Sequence, residues 1–323
     1  MRAAVYRRYG PPEVVEITEL ATPTPRGDEV LVKVRATTVT SGDWRLRAAS
    51  VPPGFAILIR LAFGIFKPRK ATLGMELAGD VVSVGKAVSR LKVGDKVFAI
   101  SSGLGCHAEY RVIRQDAAVA LMPSNLSYEE AAPLSFGGTT ALYFLRDQGQ
   151  IRAGERVLIN GASGGVGSAA IQLARHFGAE VTAVCSAGNE HMVRSLGAKY
   201  VIDYAREDFT RAGKTYDIIL DAVGNCSFAT VKPALAPGGR LLLVVASLGQ
   251  AISAVVRPSR SGRKVLGGVV PERALDLRVL AELAEAGTFK PVIDHIYPFE
   301  RIVDAHARVE THRKRGNVVV TLG

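Results

Sequence analysis

Val157-Leu158-Ile159-Asn160-Gly161-Ala162-Ser163-Gly164-Gly165-Val166-Gly167 decides how this chain is read. Val157 to Ile159 is a short apolar run of the kind that forms a buried parallel strand. A glycine-rich turn follows. Beyond it Val166, Ala169, Ala170, Leu173, Ala174 and Phe177 recur at helical spacing, and Gly178 falls where a helix end favours a left-handed residue. Strand, turn and helix make the first half of a dinucleotide-binding unit. Small residues let the main chain approach a pyrophosphate, and a helix N-terminus offers free N–H groups with partial positive charge. Ala162 stands where the commoner fingerprint has its first glycine, and no Lys-Ser/Thr pair follows Gly167, which argues against a nucleotide-hydrolysing phosphate loop.

Further strands are expected at Val181 to Val184, Tyr200 to Ile202, Asp217 to Leu220 and Arg240 to Val245, the last entered through Pro237-Gly238-Gly239. A helix is expected over Asn189 to Leu196. Alternation of strand and helix predicts a parallel sheet with right-handed crossovers. An NAD-selective site carries an acid roughly 20 residues after the glycines, on the ribose 2′-OH. Here Cys185-Ser186-Ala187-Gly188 ends the second strand and the next acid is Glu190, so room is left for a 2′-phosphate and NADPH is expected. Ser186 and Asn189 are candidate hydrogen-bond donors to it, and Arg194 or Arg206 candidate charges.

The 323 residues suffice for two domains with substantial cores. Apolar residues make up 48% and charged residues 22%, a globular balance. Cys106, Cys185 and Cys226 lack paired or metal-type spacing, which predicts reduced thiols in a cytoplasmic protein. The N-terminus has no signal-type apolar region, and Phe55 to Phe66, interrupted by Arg60, is too short to span a membrane. The net charge of +11 comes from scattered residues such as Arg7, Arg8, Arg257 and Arg260, with no interleaved aromatic platforms, so nucleic acid is not the expected partner.

Residues 1–124 read as mostly β, with strands at Ala3 to Tyr6, Val14 to Thr18, Glu29 to Val39, Leu77 to Val84, Lys96 to Ile100 and Ala108 to Ile113. Ser127-Tyr128-Glu129-Glu130 reads as a capped helix start, and Thr139 to Leu145 as a helix behind Gly137-Gly138. Residues 125–260 form the expected dinucleotide domain. Residues 261–323 hold helices over Glu272 to Ala286 and Ile302 to Glu310 and a terminal strand over Asn317 to Leu322.

Several motifs then line up: Leu73-Gly74-Met75-Glu76-Leu77-Ala78-Gly79-Asp80, Val93-Gly94-Asp95-Lys96-Val97, Ala108-Glu109-Tyr110, Ala131-Ala132-Pro133, Gly138-Thr139-Thr140-Ala141, the glycine turn, Leu196-Gly197-Ala198 and Val201-Ile202-Asp203-Tyr204. Over essentially its whole length the chain resembles the medium-chain dehydrogenase/reductase superfamily, and within it the zinc-independent quinone oxidoreductases related to zeta-crystallin. The resemblance implies a GroES-like β-rich N-terminal domain completed by the C-terminal segment, a Rossmann-type parallel sheet domain, and a homodimer formed through the last sheet strand. Zinc alcohol dehydrogenases of the superfamily carry a His between the Gly and Glu seen here as Gly74-Met75-Glu76. They also carry a Cys in the segment seen here as Thr38 to Trp44. A thioether cannot replace that imidazole, so no metal is expected.

Without a Lewis acid, hydride transfer favours quinones or C=C bonds conjugated to a carbonyl. Quinone-reducing relatives place an Asn and, three residues on, an Asp beside the nicotinamide; this chain has Thr40 and keeps Asp43, with Trp44 as a flat wall for a planar acceptor. The resemblance also assigns cofactor contacts. Thr140, at the start of its helix, faces the ribose or phosphates. Ala162, Ser163, Gly164, Gly165, Val166 and Gly167 hold the pyrophosphate. Tyr204 lies near the adenosine phosphate with Asn189 in place of a Lys, and His312 in place of a tail Arg. Ser247-Leu248-Gly249, Val269 and Val270 approach the nicotinamide.

Asp43, Tyr110 and water remain alternative proton donors. Val51 to Lys70 reads as a substrate lid, a dimer contact or a core element. Two other functions stay open: a zinc-free aldehyde or ketone reductase, and a non-catalytic NADPH-binding redox sensor or RNA-binding protein.

Overall fold

The structure is a computed structural model describing residues 1–51, 54–247, 249–250 and 262–323. Leu248, Arg257, Arg260 and the 260/261 boundary expected from sequence lie outside the described residues. The chain forms two compact units: one of 1–51, 56–139 and 272–323, the other of 52–55 and 140–271.

The first unit is built on a seven-stranded sheet. Its long central strand, Glu29–Val39, is flanked by Glu76–Val84, Tyr110–Arg114 and Asn317–Thr321, all antiparallel to it. The run of Val30, Val32, Val34 and Ala36, all buried, explains that strand: β-branched and small side chains on alternate positions line the core face. Asn317–Thr321 pairs Val319 with Thr38, so the C-terminal segment completes the N-terminal sheet. Ile293–Pro298 adds beside it in parallel.

The second unit carries a six-stranded all-parallel sheet. The order is 200–203, 180–185, 156–160, 216–221, 235–243, 264–267. Strand Arg156–Asn160 lies at the centre. The chain winds outward from it on one side, then returns to Tyr216–Asp221 on the other, so the order reverses beside the glycine turn. Gly165–His176 is the first crossover helix, and Gly178 takes φ +77 just past its end.

Three local readings are corrected. The helix expected at Thr139 to Leu145 begins at Leu134, runs through Gly137 and Gly138 to Leu142 and widens into a π turn over Tyr143–Gln148. Gly138 does not break the helix; a Cβ there would stand 2.7 Å from Leu280, so glycine serves close packing. Sequence reading also passed over helix Ser41–Ala48, whose polar, Arg-rich sequence lacks an apolar stripe. Pro237-Gly238-Gly239 falls inside strand Leu235–Leu243 as a bulge, with Gly238 at φ +73 where the register slips between Tyr216 and Ile218.

Candidate functional site

In a parallel sheet every strand ends on the same edge. The second unit therefore collects at one edge the turn after Asn160, Ser186 and Asn189 after Cys185, Tyr204 after Asp203, Ser247 after Leu243, and Val269 and Val270 after Gly267. Such an edge, at the point where strand order reverses, is where open α/β sheets bind ligands.

The turn is shaped for main-chain contact. Gly161 takes φ +79, and the Ala162 N–H donates to the Val184 carbonyl at 3.0 Å. Ala162 is fully buried. A Cβ on Gly167 would lie 2.2 Å from the Gly161 carbonyl oxygen, so only glycine lets the helix start this close to the turn. Gly164 differs: a Cβ there meets only the Gly161 oxygen, at 3.6 Å. Gly164 is the N-cap and supplies no side-chain acceptor to the first turn of helix Gly165–His176. An uncapped helix start beside open space fits a pyrophosphate; the N–H groups of Gly165, Val166 and Gly167 are the donors that would hold it.

The neighbouring loop is fixed by a buried carboxylate that sequence reading missed. Asp221 Oδ1 accepts the N–H groups of Val223 and Gly224 at 3.0 and 3.1 Å, and Oδ2 accepts that of Cys226 at 2.9 Å. Asn160 Nδ2 donates to Asp221 Oδ1 at 2.9 Å and to Asn225 Oδ1 at 2.7 Å. An acid closing an apolar strand three residues before a glycine was the available signal.

At the second strand's tip, Asn189 Nδ2 donates to Ser186 Oγ at 3.0 Å, which leaves the Ser186 hydroxyl hydrogen free to point outward. Arg194 is held by Glu190 at 2.8 Å. Arg206 leans on Asp203 at 3.6 Å, and the Asp203 carboxylate also caps the Ala205 N–H. Tyr204 is exposed. Ser247 and Gln250 bond reciprocally, main chain to side chain, at 2.8 and 3.2 Å.

Thr140 is buried near the end of helix Leu134–Leu142, not at its start, because the helix begins six residues earlier. The first unit brings together Thr40, Asp43 and Met75. Thr40 caps helix Ser41–Ala48 in a reciprocal box: its Oγ1 accepts the Asp43 N–H at 3.1 Å and its N–H donates to Asp43 Oδ2 at 2.8 Å. The Thr40 hydroxyl itself donates to Asp43 Oδ2 at 2.6 Å, so its hydrogen is engaged. Asp43 Oδ1 accepts the Gly74 N–H at 2.8 Å, and Asp43 is fully buried. Met75 Sδ lies 3.8 Å from Thr40 Oγ1.

One strand over, Glu76 is fully buried. Its Oε1 accepts from the Thr38 hydroxyl and its Oε2 from the Phe136 N–H, both at 2.5 Å. Burial pushes its carboxyl up to about 7 despite those two bonds. Trp44 packs edge-on against His312, ring centroids 4.4 Å apart, which gives both a partner within the first unit. His312 takes φ +56 after helix Ile302–Glu310. His107 Nε2 faces the Thr38 carbonyl at 2.9 Å, and buried Cys106 precedes it. Among the described residues no three His, Cys, Asp or Glu side chains gather as a metal site.

Two family models match the chain: "Alcohol dehydrogenase GroES-like domain" over residues 26–124 and "Zinc-binding dehydrogenase" over residues 196–320. The Arabidopsis thaliana "Chloroplast envelope quinone oxidoreductase homolog" is 31% identical, covering 99% of this chain and 98% of its own. The "NADPH-dependent alkenal/one oxidoreductase, chloroplastic" of the same plant is 34% identical over 99% of this chain and 79% of its own. Among solved structures, the quinone oxidoreductase from Coxiella burnetii superposes with a TM-score of 0.89 at 29% identity, covering 100% of this chain and 99% of that one. With full-length identities above 30% and both halves matched, the chain belongs to the quinone oxidoreductase group of the medium-chain dehydrogenase/reductase superfamily, whose fold takes a nicotinamide cofactor.

Proposed function

We propose that this protein is an NADPH-dependent, zinc-independent reductase of quinones or α,β-unsaturated carbonyls. The observation that carries it is the uncapped start of helix Gly165–His176 at the reversal point of the parallel sheet, backed by relatives named for those reactions. The nicotinamide, when bound, supplies the hydride. The chain's own residues do the rest by binding and orienting. Gly165, Val166 and Gly167 offer main-chain N–H groups to the pyrophosphate, and Ala162 anchors the turn to the next strand. The Ser186 hydroxyl, oriented by Asn189, suits a 2′-phosphate that a carboxylate there would repel. Tyr204, Ser247, Val269 and Val270 border the same edge.

With its hydroxyl hydrogen spent on Asp43, Thr40 borders the substrate by van der Waals contact only, with Trp44 as an apolar wall. Asp43 is a positioning residue: buried, with both oxygens engaged, it fixes Thr40 and Gly74. Tyr110 pairs opposite Lys33, far along strand Glu29–Val39 from Thr40, which leaves water to deliver the proton. Met75, next to Thr40 where zinc enzymes of the superfamily carry an imidazole, supports metal-free chemistry. Among the described residues, strand Lys264–Gly267 pairs only with Leu235–Leu243, which supports a homodimer through its other edge. The three cysteines are free and buried, in keeping with a reducing, cytoplasmic setting.

The deciding experiment follows oxidation of NADPH and NADH against a panel of quinones, enones and simple aldehydes, alongside metal analysis of the purified protein. Turnover of quinones or enones with NADPH, without bound zinc, is expected. Reduction of aldehydes alone, or stoichiometric zinc, overturns the reading.

A further inference from the structure

Helix Ala56–Phe63 is apolar but for Arg60. Phe63 packs on the core of the first unit, and the Gly64 carbonyl after it accepts from the Tyr9 hydroxyl at 2.7 Å. The inner side of the segment is thereby anchored. Among the described residues the outer side is not covered. Ile57 and Leu61, one helical turn apart, are 74% and 52% exposed, and Ile65 and Phe66 continue the patch at 45% and 92%. Four large exposed apolar side chains within ten residues exceed the scatter normal for single exposed residues.

The rim is cationic. Arg60, Lys67, Arg69 and Lys70 are exposed, and among the described residues none of them lies within an ion pair of a carboxylate. Arg60 stacks over Tyr9, 5.8 Å from the ring centroid; Arg69 and Lys70 donate only to main-chain carbonyls. Between Asp43 and Glu76 the sequence has no acid at all, against Arg45, Arg47, Arg60, Lys67, Arg69 and Lys70.

We propose that this face seats on the surface of an anionic phospholipid bilayer. The helix lies in the interface with Ile57, Leu61, Ile65 and Phe66 in the acyl boundary and the four cations against headgroup phosphates. Charge complementarity selects this occupant over a second copy of the chain. A two-fold contact through the same patch would set Arg60, Lys67, Arg69 and Lys70 against their own counterparts with no acid nearby to offset them. The mode is peripheral, since no helix among the described residues is long and apolar enough to cross a membrane. It stands independently of the reaction assigned above.

The test is sedimentation of the full chain with vesicles of phosphatidylcholine alone or mixed with phosphatidylglycerol, at low and high salt. Binding is expected to the mixed vesicles and to weaken with salt. Phe66→Ser with Leu61→Ser should lower partitioning by about tenfold or more. Arg60→Gln should lower it roughly fivefold. Because all three positions are exposed, thermal melting should report intact folding. Absence of binding to mixed vesicles overturns the proposal. So does binding that Phe66→Ser and Leu61→Ser leave unchanged, which would be non-specific attraction to a basic protein. Loss of self-association in those variants, without vesicle binding, would assign the face to a second copy instead.

Discussion

Glu76 and Thr38 face each other across two buried strands, carboxylate oxygen to hydroxyl, with the Phe136 N–H on the other oxygen. The carboxyl sits near 7 against an ordinary 4.5, because burial outweighs both hydrogen bonds. A folded-state value raised above the unfolded one means that the folded chain holds its proton more tightly. The stabilisation is complete below about 4.5 and is lost as pH climbs through about 7, a swing of roughly 3 kcal/mol. Glu76→Gln should flatten the decline of melting temperature between these values. An unchanged slope would place the titration elsewhere.

His306 has the opposite sign. It is fully buried with no hydrogen-bond partner on either ring nitrogen among the described residues, beside His107 at 5.5 Å between ring centroids. Burial first, then the His107 and Arg47 charges, hold it well below 6.5, so it folds neutral. Stability is lost as pH falls below 6.5, where the unfolded chain takes up the proton first. His306→Leu should move the acid unfolding midpoint to lower pH and leave neutral stability unchanged or higher, measured by circular dichroism.

Gly164 and Gly167 separate binding from folding. Gly164→Ala adds a methyl group that meets only the Gly161 oxygen at 3.6 Å, an ordinary contact, so thermal stability should hold while NADPH affinity falls about tenfold by fluorescence titration. Gly167→Ala drives a Cβ into the Gly161 carbonyl at 2.2 Å and should cost roughly 1–3 kcal/mol of stability as well. Equal effects on both properties would show that Gly164 does not border the cofactor.

Thr40→Ala removes the cap of helix Ser41–Ala48, worth about 1 kcal/mol. Thr40→Ser keeps the hydroxyl on Asp43. Quinone reduction should survive in the serine variant and fall in the alanine variant through kcat more than KM for NADPH. A matched fall in both variants would remove Thr40 from the substrate side.

Ser186→Asp puts a carboxylate at the tip of strand Glu180–Cys185. It should raise the NADPH dissociation constant by about tenfold or more and favour NADH. Indifference to this change would show that the 2′-phosphate lies elsewhere.

The sequence disclosed the parallel sheet because buried strands such as Val157 to Ile159 are uniformly apolar, and because glycines mark a turn that only glycine can make. The family resemblance pointed to Thr40 and Asp43 but carried no sign of their bonding, in which the helix cap engages the Thr40 hydroxyl. Glu76 and Asp221 were passed over since an acid among apolar residues carries no sign of whether its oxygens meet N–H groups. The helix over Leu134–Leu142 was misplaced because glycines signal breaks in sequence and close packing in structure. Tertiary contacts, absent from any local pattern, decide between those meanings.

Asp221 gathers three main-chain N–H groups, together with the Asn160 amide, at the mouth of the glycine turn. The path of that loop is thus settled during folding and not on encounter. On the proposed reading a visiting dinucleotide would meet a rim already immobilised, so little of its association free energy would be diverted into freezing protein backbone, and the rim's contribution to selectivity would rest on shape fixed in advance.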